Sequence, residues 1–237
     1  MSKRAIILAG GKGTRLKPYT VVLPKPLVPI GDLPILEIVI RKLVKCGFDH
    51  ITLTVNHQAE IIRAFFGDGS KWNISIDYSY EEKPLSTMGP LALINDLPEN
   101  FLVMNGDILS DLNYGELFDF HVQNNNSFTV SSFVREHVNL YGVLESNSNH
   151  ELTGFREKPI SRFEVSMGVY IVNKKVLKYI PVNEPFGFDH LMLEMIKSND
   201  KPFVKQFEGY WLDIGRPDDY ESATEVFLEN PNRFLHA

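Results

Sequence analysis

The chain has 237 residues, 43% of them hydrophobic and 23% charged, a balance that is typical of one globular domain. Its apolar runs, such as residues 5–9, are far shorter than the ~20 residues of a membrane span, and the N-terminus lacks the features of a signal peptide. We therefore expect a soluble, cytoplasmic protein without a membrane partner. Cys46 is the single cysteine, which excludes an internal disulfide and a cysteine cluster for a metal.

The distribution of charge is more informative than its sum. A net charge of −6 argues against a nucleic-acid partner, since such proteins normally present a basic face. Residues 1–31 nevertheless contain six basic and no acidic side chains. This asymmetry indicates an anion site near the N-terminus.

Strand and helix patterns alternate through the first half of the chain. Short apolar or β-branched runs predict strands over residues 5–9, 50–55, 74–80 and 101–104. Apolar residues at helical spacing predict helices over residues 34–46, 60–66, 90–95 and 114–123. This alternation predicts an α/β three-layer sandwich with a mainly parallel, Rossmann-like central sheet.

The second half is richer in strands. Residues 128–134, 141–145, 152–156 and 167–173 predict a small antiparallel β extension that joins the sheet. Helices are predicted over 174–180, 189–198 and 217–228, with extended segments at 203–207 and 210–214. The absence of a linker predicts one domain over residues 1–237, without the hexapeptide repeats of a C-terminal left-handed β-helix.

A glycine-rich loop, residues 8–16, directly follows the first predicted strand. It is not a P-loop, because Lys12 is followed by Gly13, and it lacks the third glycine of the Rossmann fingerprint. Such a loop lets backbone N–H groups approach an anion, with Arg15 and Lys25 available for phosphate oxygens. The alternative is a tight turn that carries solvated basic side chains.

Together with Leu-Pro-Lys-Pro-Leu at residues 23–27, this loop resembles the signature of the sugar-1-phosphate nucleotidyltransferases, or NDP-sugar pyrophosphorylases. The resemblance continues in the family's order through residues 81–91, 105–107, 141–143, 157–159 and 210–215. It is greatest for the mannose- or heptose-1-phosphate guanylyltransferase branch. It implies a GT-A-like nucleotidyltransferase fold.

The resemblance also implies a reaction in which a sugar 1-phosphate and a nucleoside triphosphate give an NDP-sugar and pyrophosphate. The two anionic reactants would be bound with Mg²⁺, for which Asp107 and Asp213 are the implied ligands. The implied catalytic residues are Arg15, Lys25, Asp107 and Lys158. Without the resemblance, Asp107 could cap a turn and Asp213 could pair with a base.

A second set of residues is implied for the nucleotide: Leu8, Gly10, Gly11, Gly13, Thr14, Arg15, Glu81, Glu82 and Gly89. Guanine presents neighbouring N–H donors that suit a carboxylate, whereas thymine and uracil suit an amide better. Glu81 and Glu82 therefore favour GTP. Thymidylyl, uridylyl and cytidylyl transfer remain alternatives.

Binding of the sugar phosphate is implied for Gly142, Glu157, Lys158 and Ser166. Glu157 would accept hydrogen bonds from sugar hydroxyls and Lys158 would hold the phosphate, although the same pair could be a surface ion pair. Ser166 stands where the family has an asparagine, and Ser86 and Met88 also depart from the branch. Ser86 and Met88 leave the contacts to the base or ribose open, and Ser166 leaves the sugar open.

Two other classes of protein are alternatives. A catalytically silent nucleotide-sugar-binding regulator would lose cations or metal ligands, which this chain keeps, and a glycosyltransferase would need a second acid beside Asp107. Assembly into a homo-oligomer is left open. Asp111 is expected to cap a loop or helix, with a supporting role for Asp107, four residues earlier, as the alternative. The histidines lack metal-ligand spacing and are expected to be structural: His57, His121, His137 and His190.

Overall fold

The computed structural model describes residues 2–56 and 58–235, so His57 lies outside the described residues. The strands are β1 (Lys3–Leu8), β2 (Pro29–Ile30), β3 (Leu33–Pro34), β4 (Phe48–Val55), β5 (Ser75–Tyr80), β6 (Asn100–Asn105), β7 (Ile108–Ser110), β8 (Phe128–Val138), β9 (Val143–Ser146), β10 (Leu152–Arg156), β11 (Ile160–Asn173), β12 (Phe203–Gln206) and β13 (Trp211–Asp213). The α-helices are α1 (Ile35–Lys45), α2 (Ala59–Phe66), α3 (Tyr114–Gln123), α4 (Phe188–Lys197), α5 (Pro217–Glu229) and α6 (Asn232–Leu235). Short 3-10 helices cover Thr14–Leu16, Lys25–Leu27, Ser70–Trp72, Gly89–Leu93 and Lys174–Tyr179.

Seven strands form the central sheet in the order β12-β8-β11-β6-β1-β4-β5. The pairs β1–β4, β1–β6, β4–β5 and β8–β12 are parallel, whereas β11 runs antiparallel to both β6 and β8. The long pairing of β8 with β11 extends the sheet as an antiparallel arm. This confirms the predicted mainly parallel sheet with an antiparallel extension. The segments predicted at 141–145 and 152–156 do not join it, because β9 and β10 pair with each other in a separate two-stranded sheet.

Helices cover both faces of the sheet. One buried cluster joins apolar side chains of α1, α2 and α3 to one face, with Val39, Ile62 and Phe118 among its members. A second cluster joins α4 and two 3-10 helices to the other face. A third cluster packs α5 and α6 on the outer side of α1. The three-layer prediction is therefore confirmed.

The ends of the helices follow from the local sequence. The side chain of Asn113 accepts hydrogen bonds from the backbone N–H groups of Gly115 and Glu116 at 3.0 and 3.2 Å, and so caps the start of α3. Pro217 occupies the first position of α5, where a missing N–H costs nothing. Both helices begin where the sequence predicts.

The structure corrects several details. The extended segment predicted at 210–214 forms β13, which pairs with β7 in a two-stranded ribbon separate from the central sheet. Neither β7 nor α6 was predicted. The segments predicted as helices at 90–95 and 174–180 form 3-10 helices over Gly89–Leu93 and Lys174–Tyr179.

Candidate active site

A cavity of about 280 Å³ opens at the carboxyl ends of β1, β4 and β6. Leu8 ends β1 and pairs with Thr54 on one side and Asn105 on the other, which brings three strand ends to one edge. Ligands bind at this edge in open α/β sheets. The lining consists of Leu8, Gly10, Gly11, Thr54, Asn56, Glu81, Pro84, Ser86, Thr87, Asn105 and Asp107.

The glycine-rich loop turns tightly over this edge. Gly13 has φ +61°, and a Cβ there would lie 2.9 Å from Thr20 Cγ2. A Cβ on Gly10 would lie 2.8 Å from Glu81 Oε1, so the loop backbone lies close to the glutamate carboxylate, which a larger residue at this position would displace. Gly11 faces open space, and Thr14 begins the next 3-10 helix.

Basic and acidic side chains converge beside the cavity. Lys25 Nζ donates to Asp107 Oδ2, and both side chains are mostly buried. Asp107 Oδ1 is buried and has no hydrogen-bond partner among the described residues. Burial, and then the nearby Asp107 carboxylate, raise the pKa of Asp213, while Lys25 and Arg15 act in the opposite direction. The structure therefore brings together four predicted residues from distant parts of the chain.

The short ribbon of β7 and β13 places the two aspartates side by side. Asp213 pairs with Ile108, and the backbone N–H of Ile214 donates to the carbonyl of Asp107 at 3.0 Å. Trp211 Nε1–H donates to the carbonyl of Met167 at 2.9 Å, which fastens β13 to the central sheet.

These aspartates fit a divalent metal ion. Mg²⁺ is held in many enzymes by one or two carboxylates while phosphates and waters complete its shell. Asp107 keeps one carboxylate oxygen, Oδ1, beyond its bond to Lys25, and burial together with the neighbouring Asp107 carboxylate raises the pKa of Asp213, so a bound cation would stabilise both carboxylates. Within residues 2–56 and 58–235, no group of three or more His, Cys, Asp or Glu side chains could form a metal cage, so substrate oxygens would have to contribute.

The predicted base loop divides into two parts. Glu81 is half-buried in the cavity lining, its carboxylate accepts the Leu85 N–H at 3.0 Å, and burial raises its pKa. Glu82 is exposed and lies outside the lining. The N–H of Gly89 donates to the carbonyl of Phe186 at 2.9 Å, so this glycine packs against backbone rather than opening toward the cavity.

The four predicted sugar-phosphate residues lie outside the cavity lining. A Cβ on Gly142 would lie 3.2 Å from Glu157 Oε2, which places these two together at one end of the β9–β10 ribbon. Lys158 is exposed, with φ +43°, in the turn between β10 and β11. Ser166 Oγ contacts Tyr170 Oη at 3.0 Å at an irregularity in the pairing of β11 with β8.

Several lining residues were not predicted. Thr54 Oγ1 is buried, has no hydrogen-bond partner within residues 2–56 and 58–235, and belongs to the cavity lining, as do Asn56 and Asn105. A Cβ on Gly168, which has φ +72°, would lie 2.6 Å from Asn105 Nδ2, so the side-chain amide of Asn105 packs closely against this glycine. The available signal was position, because Asn56 and Asn105 stand at the carboxyl ends of β4 and β6.

The described histidines are structural or peripheral. His121 is fully buried, Nδ1 lies 2.8 Å from Thr129 Oγ1, and burial lowers the pKa of the imidazole to about 4. His190 Nδ1 accepts the N–H of Gly187 at the start of α4, and His137 is exposed.

In the part of the chain that the structure describes, none of the helices is both long and apolar enough to span a bilayer.

A glycine-rich loop and two neighbouring aspartates at the carboxyl edge of an α/β sheet are typical of nucleotide-binding transferases. The sequence matches the nucleotidyl transferase family over residues 4–230, and the chain belongs to that family. This confirms the family-level resemblance.

Curated relatives include the mannose-1-phosphate guanyltransferases of Hypocrea jecorina and Yarrowia lipolytica. They are 34% and 32% identical to this chain, and each alignment covers 96% of it. The chain spans 65% and 64% of the length of these two relatives. A solved structure of HddC from Yersinia pseudotuberculosis, complexed with GMP-PN, is 27% identical with a TM-score of 0.71. It covers 95% of this chain and 99% of its own, and it supports the predicted fold.

Proposed function

We propose that the chain is a sugar-1-phosphate guanylyltransferase that joins GTP and a hexose or heptose 1-phosphate, giving a GDP-sugar and pyrophosphate. The observation that carries the proposal is the convergence of Lys25, Asp107 and Asp213 beside the cavity that contains Glu81. The two fungal relatives are named for guanylyl transfer to mannose 1-phosphate. This similarity supports GTP and a mannose-like sugar.

The base would be recognised by Glu81. Its carboxylate can accept hydrogen bonds from N1–H and N2–H of guanine, whereas the thymine or uracil ring presents one N–H between two carbonyls. The Leu85 N–H bond opposes the effect of burial and favours the ionised form of Glu81. Gly10 allows the loop backbone to lie against this carboxylate, which fixes the base at one end of the cavity.

The phosphates would lie between the glycine loop and the basic side chains. Lys25 is held beside Asp107, and Arg15 is near enough to Asp213 to influence its pKa. Fixed positive charge stabilises the charge that develops at the α-phosphate. Mg²⁺ bound by Asp107 and Asp213 would neutralise phosphate oxygens and orient them for in-line displacement.

The sugar phosphate would approach from the antiparallel arm. Lys158 would hold its phosphate, Glu157 would accept hydrogen bonds from sugar hydroxyls, and Gly142 would admit the ring. An ionised phosphate oxygen attacks the α-phosphorus as the bond to pyrophosphate breaks, and no general base is needed. Because these residues lie outside the cavity lining, we propose that the arm moves toward the cavity when substrate binds.

The proposal is tested by pyrophosphate release from GTP, CTP, UTP, dTTP and ATP, each with mannose, glucose or manno-heptose 1-phosphate and Mg²⁺. We expect GTP with mannose or heptose 1-phosphate to be the active combination. Activity with dTTP, UTP or CTP instead of GTP would contradict the assignment of Glu81. Binding of a nucleotide sugar without turnover would identify a silent regulator. The single domain over 1–237 and the cytoplasmic location remain predictions, and assembly into a homo-oligomer remains open.

A further inference from the structure

The ribbon that carries Asp213 is short. β7 and β13 contribute three residues each, and within the described residues they form a two-stranded sheet separate from the central one. A ribbon of this size is marginally stable by itself. The contacts at its ends therefore determine how well the Asp213 carboxylate is held beside Asp107.

One end is closed by the Ile214 N–H, which donates to the carbonyl of Asp107. The other end is closed by Asp111. Its backbone N–H donates to the carbonyl of Tyr210 at 3.2 Å, and its Oδ1 accepts the Tyr210 N–H at 2.7 Å. This pair of bonds extends the ribbon by one residue on each strand.

Asp111 is in turn held by α6. Arg233 Nε donates to Asp111 Oδ2 at 2.6 Å, and the guanidinium lies 5.3 Å from the centre of the Tyr210 ring. The ion pair is partly exposed, so we expect its own contribution to folding stability to be small. Its geometric effect is larger, because it orients the carboxylate that binds the Tyr210 N–H.

We propose that Asp111 is a positioning residue for the metal site: with Arg233 it holds β13 on β7 and so keeps the Asp213 carboxylate beside Asp107. This inference rests on the proposed function, in which those two carboxylates bind Mg²⁺. Asp111 acts through the backbone of β13 and is absent from the lining of the nucleotide cavity. It is not the helix cap that the sequence predicts, since Asn113 caps α3.

Three substitutions separate the contacts. Asp111→Ala removes both side-chain bonds, whereas Asp111→Asn keeps an acceptor for the Tyr210 N–H and loses the ion pair. Arg233→Met removes the same ion pair from the other side and keeps an apolar side chain over the Tyr210 ring. Removing groups that orient metal ligands typically lowers metal affinity roughly ten- to a hundredfold. We therefore expect the largest effect for Asp111→Ala and smaller, equal effects for the other two.

The measurement is Mn²⁺ binding by electron paramagnetic resonance, with GTP present and sugar phosphate absent, followed by the Mg²⁺ midpoint of turnover. Asp111→Ala should raise both midpoints about tenfold. GTP binding without metal should stay unchanged, which a general loss of structure would not allow. Asp200→Asn is the matched control, because Asp200 accepts bonds from the Ser127 and Tyr179 hydroxyls in another part of the fold.

The outcomes distinguish the two proposals. A folded Asp111→Ala protein with wild-type midpoints would overturn the positioning role while leaving the proposed function intact. Absence of metal binding and turnover in the wild-type chain would overturn both. If Asp111→Ala does not fold, Asp111→Asn and Arg233→Met decide. Equal shifts of the metal midpoints that do not add when the two substitutions are combined support the positioning role, and unshifted midpoints refute it.

Discussion

The backbone carbonyl of Asp107 accepts a hydrogen bond from the backbone N–H of Ile214 at 3.0 Å. This bond joins two segments that are far apart along the chain and brings their aspartates to the same place. The two carboxylates repel each other in the absence of a cation, which is why the neighbouring Asp107 contributes to the raised pKa of Asp213. The pair is the physical basis of the proposed metal site.

Asp107→Asn and Asp213→Asn should each abolish most turnover. The amide keeps the shape of the side chain but weakens a metal ligand, and metal-assisted charge stabilisation contributes several kcal/mol, or roughly two orders of magnitude or more in rate. Steady-state pyrophosphate release at saturating Mg²⁺ measures the effect. Asp200→Asn provides the control, and near-normal rates in both site variants would remove the metal assignment.

Glu81→Gln should reduce the preference for GTP. The amide replaces one acceptor oxygen with a donor and leaves a guanine N–H unpaired, which costs about 1–3 kcal/mol. The ratio of kcat/KM for GTP to that for dTTP should therefore fall about tenfold or more. Glu82→Gln should have a smaller effect, because Glu82 is exposed and outside the cavity lining. Equal preference in wild type and Glu81→Gln would show that the base is read elsewhere.

Thr54→Val should separate binding from stability. The buried Thr54 hydroxyl has no hydrogen-bond partner in the part of the chain that the structure describes, so an apolar group of the same shape should leave the free energy of unfolding unchanged or higher. If the hydroxyl binds the nucleotide, the KM for GTP should rise while kcat changes little. Urea unfolding and initial rates test the two halves of the prediction. A large loss of stability would mean that the hydroxyl is paired inside the protein.

His121 should make the protein less stable in mild acid. Burial lowers the folded-state pKa from 6.5 to about 4, so the unfolded chain binds the proton more readily than the folded protein between these values. The contribution to stability should be lost progressively as pH falls below about 6.5, by about 2 kcal/mol between pH 7.5 and pH 5. Urea unfolding of wild type and His121→Gln at both pH values measures it, and identical pH dependence would refute the prediction.

Local patterns were sufficient for most of the fold. The helix over Tyr114–Gln123 was predicted with its observed bounds, since its apolar spacing and the cap at Asn113 agree. β7 was missed because three residues are too few for a periodicity. The pairing of β7 with β13 depends on contacts between distant segments, which no local pattern contains.

The candidate site was predictable where residue type and order carried the signal. Asp107, Lys25 and Asp213 belong to segments that resemble the family, and the structure brings them together. Thr54 could not be identified from sequence, because its significance lies in a buried hydroxyl without a partner. The spacing of Asp111 from Asp107 allowed a supporting role from sequence, but its partners could not be named, since Arg233 and the Tyr210 backbone reach it only in the folded chain.

Guanylyl transfer is tested by mass-spectrometric detection of the product from GTP, mannose 1-phosphate and Mg²⁺. We expect GDP-mannose and pyrophosphate in equal amounts, with little product from Asp107→Asn under the same conditions. Manno-heptose 1-phosphate would be tested in parallel, because the sugar site departs from the family at Ser166. If the folded wild-type chain forms no GDP-sugar from either sugar phosphate, guanylyl transfer is contradicted, whether or not another nucleotide reacts.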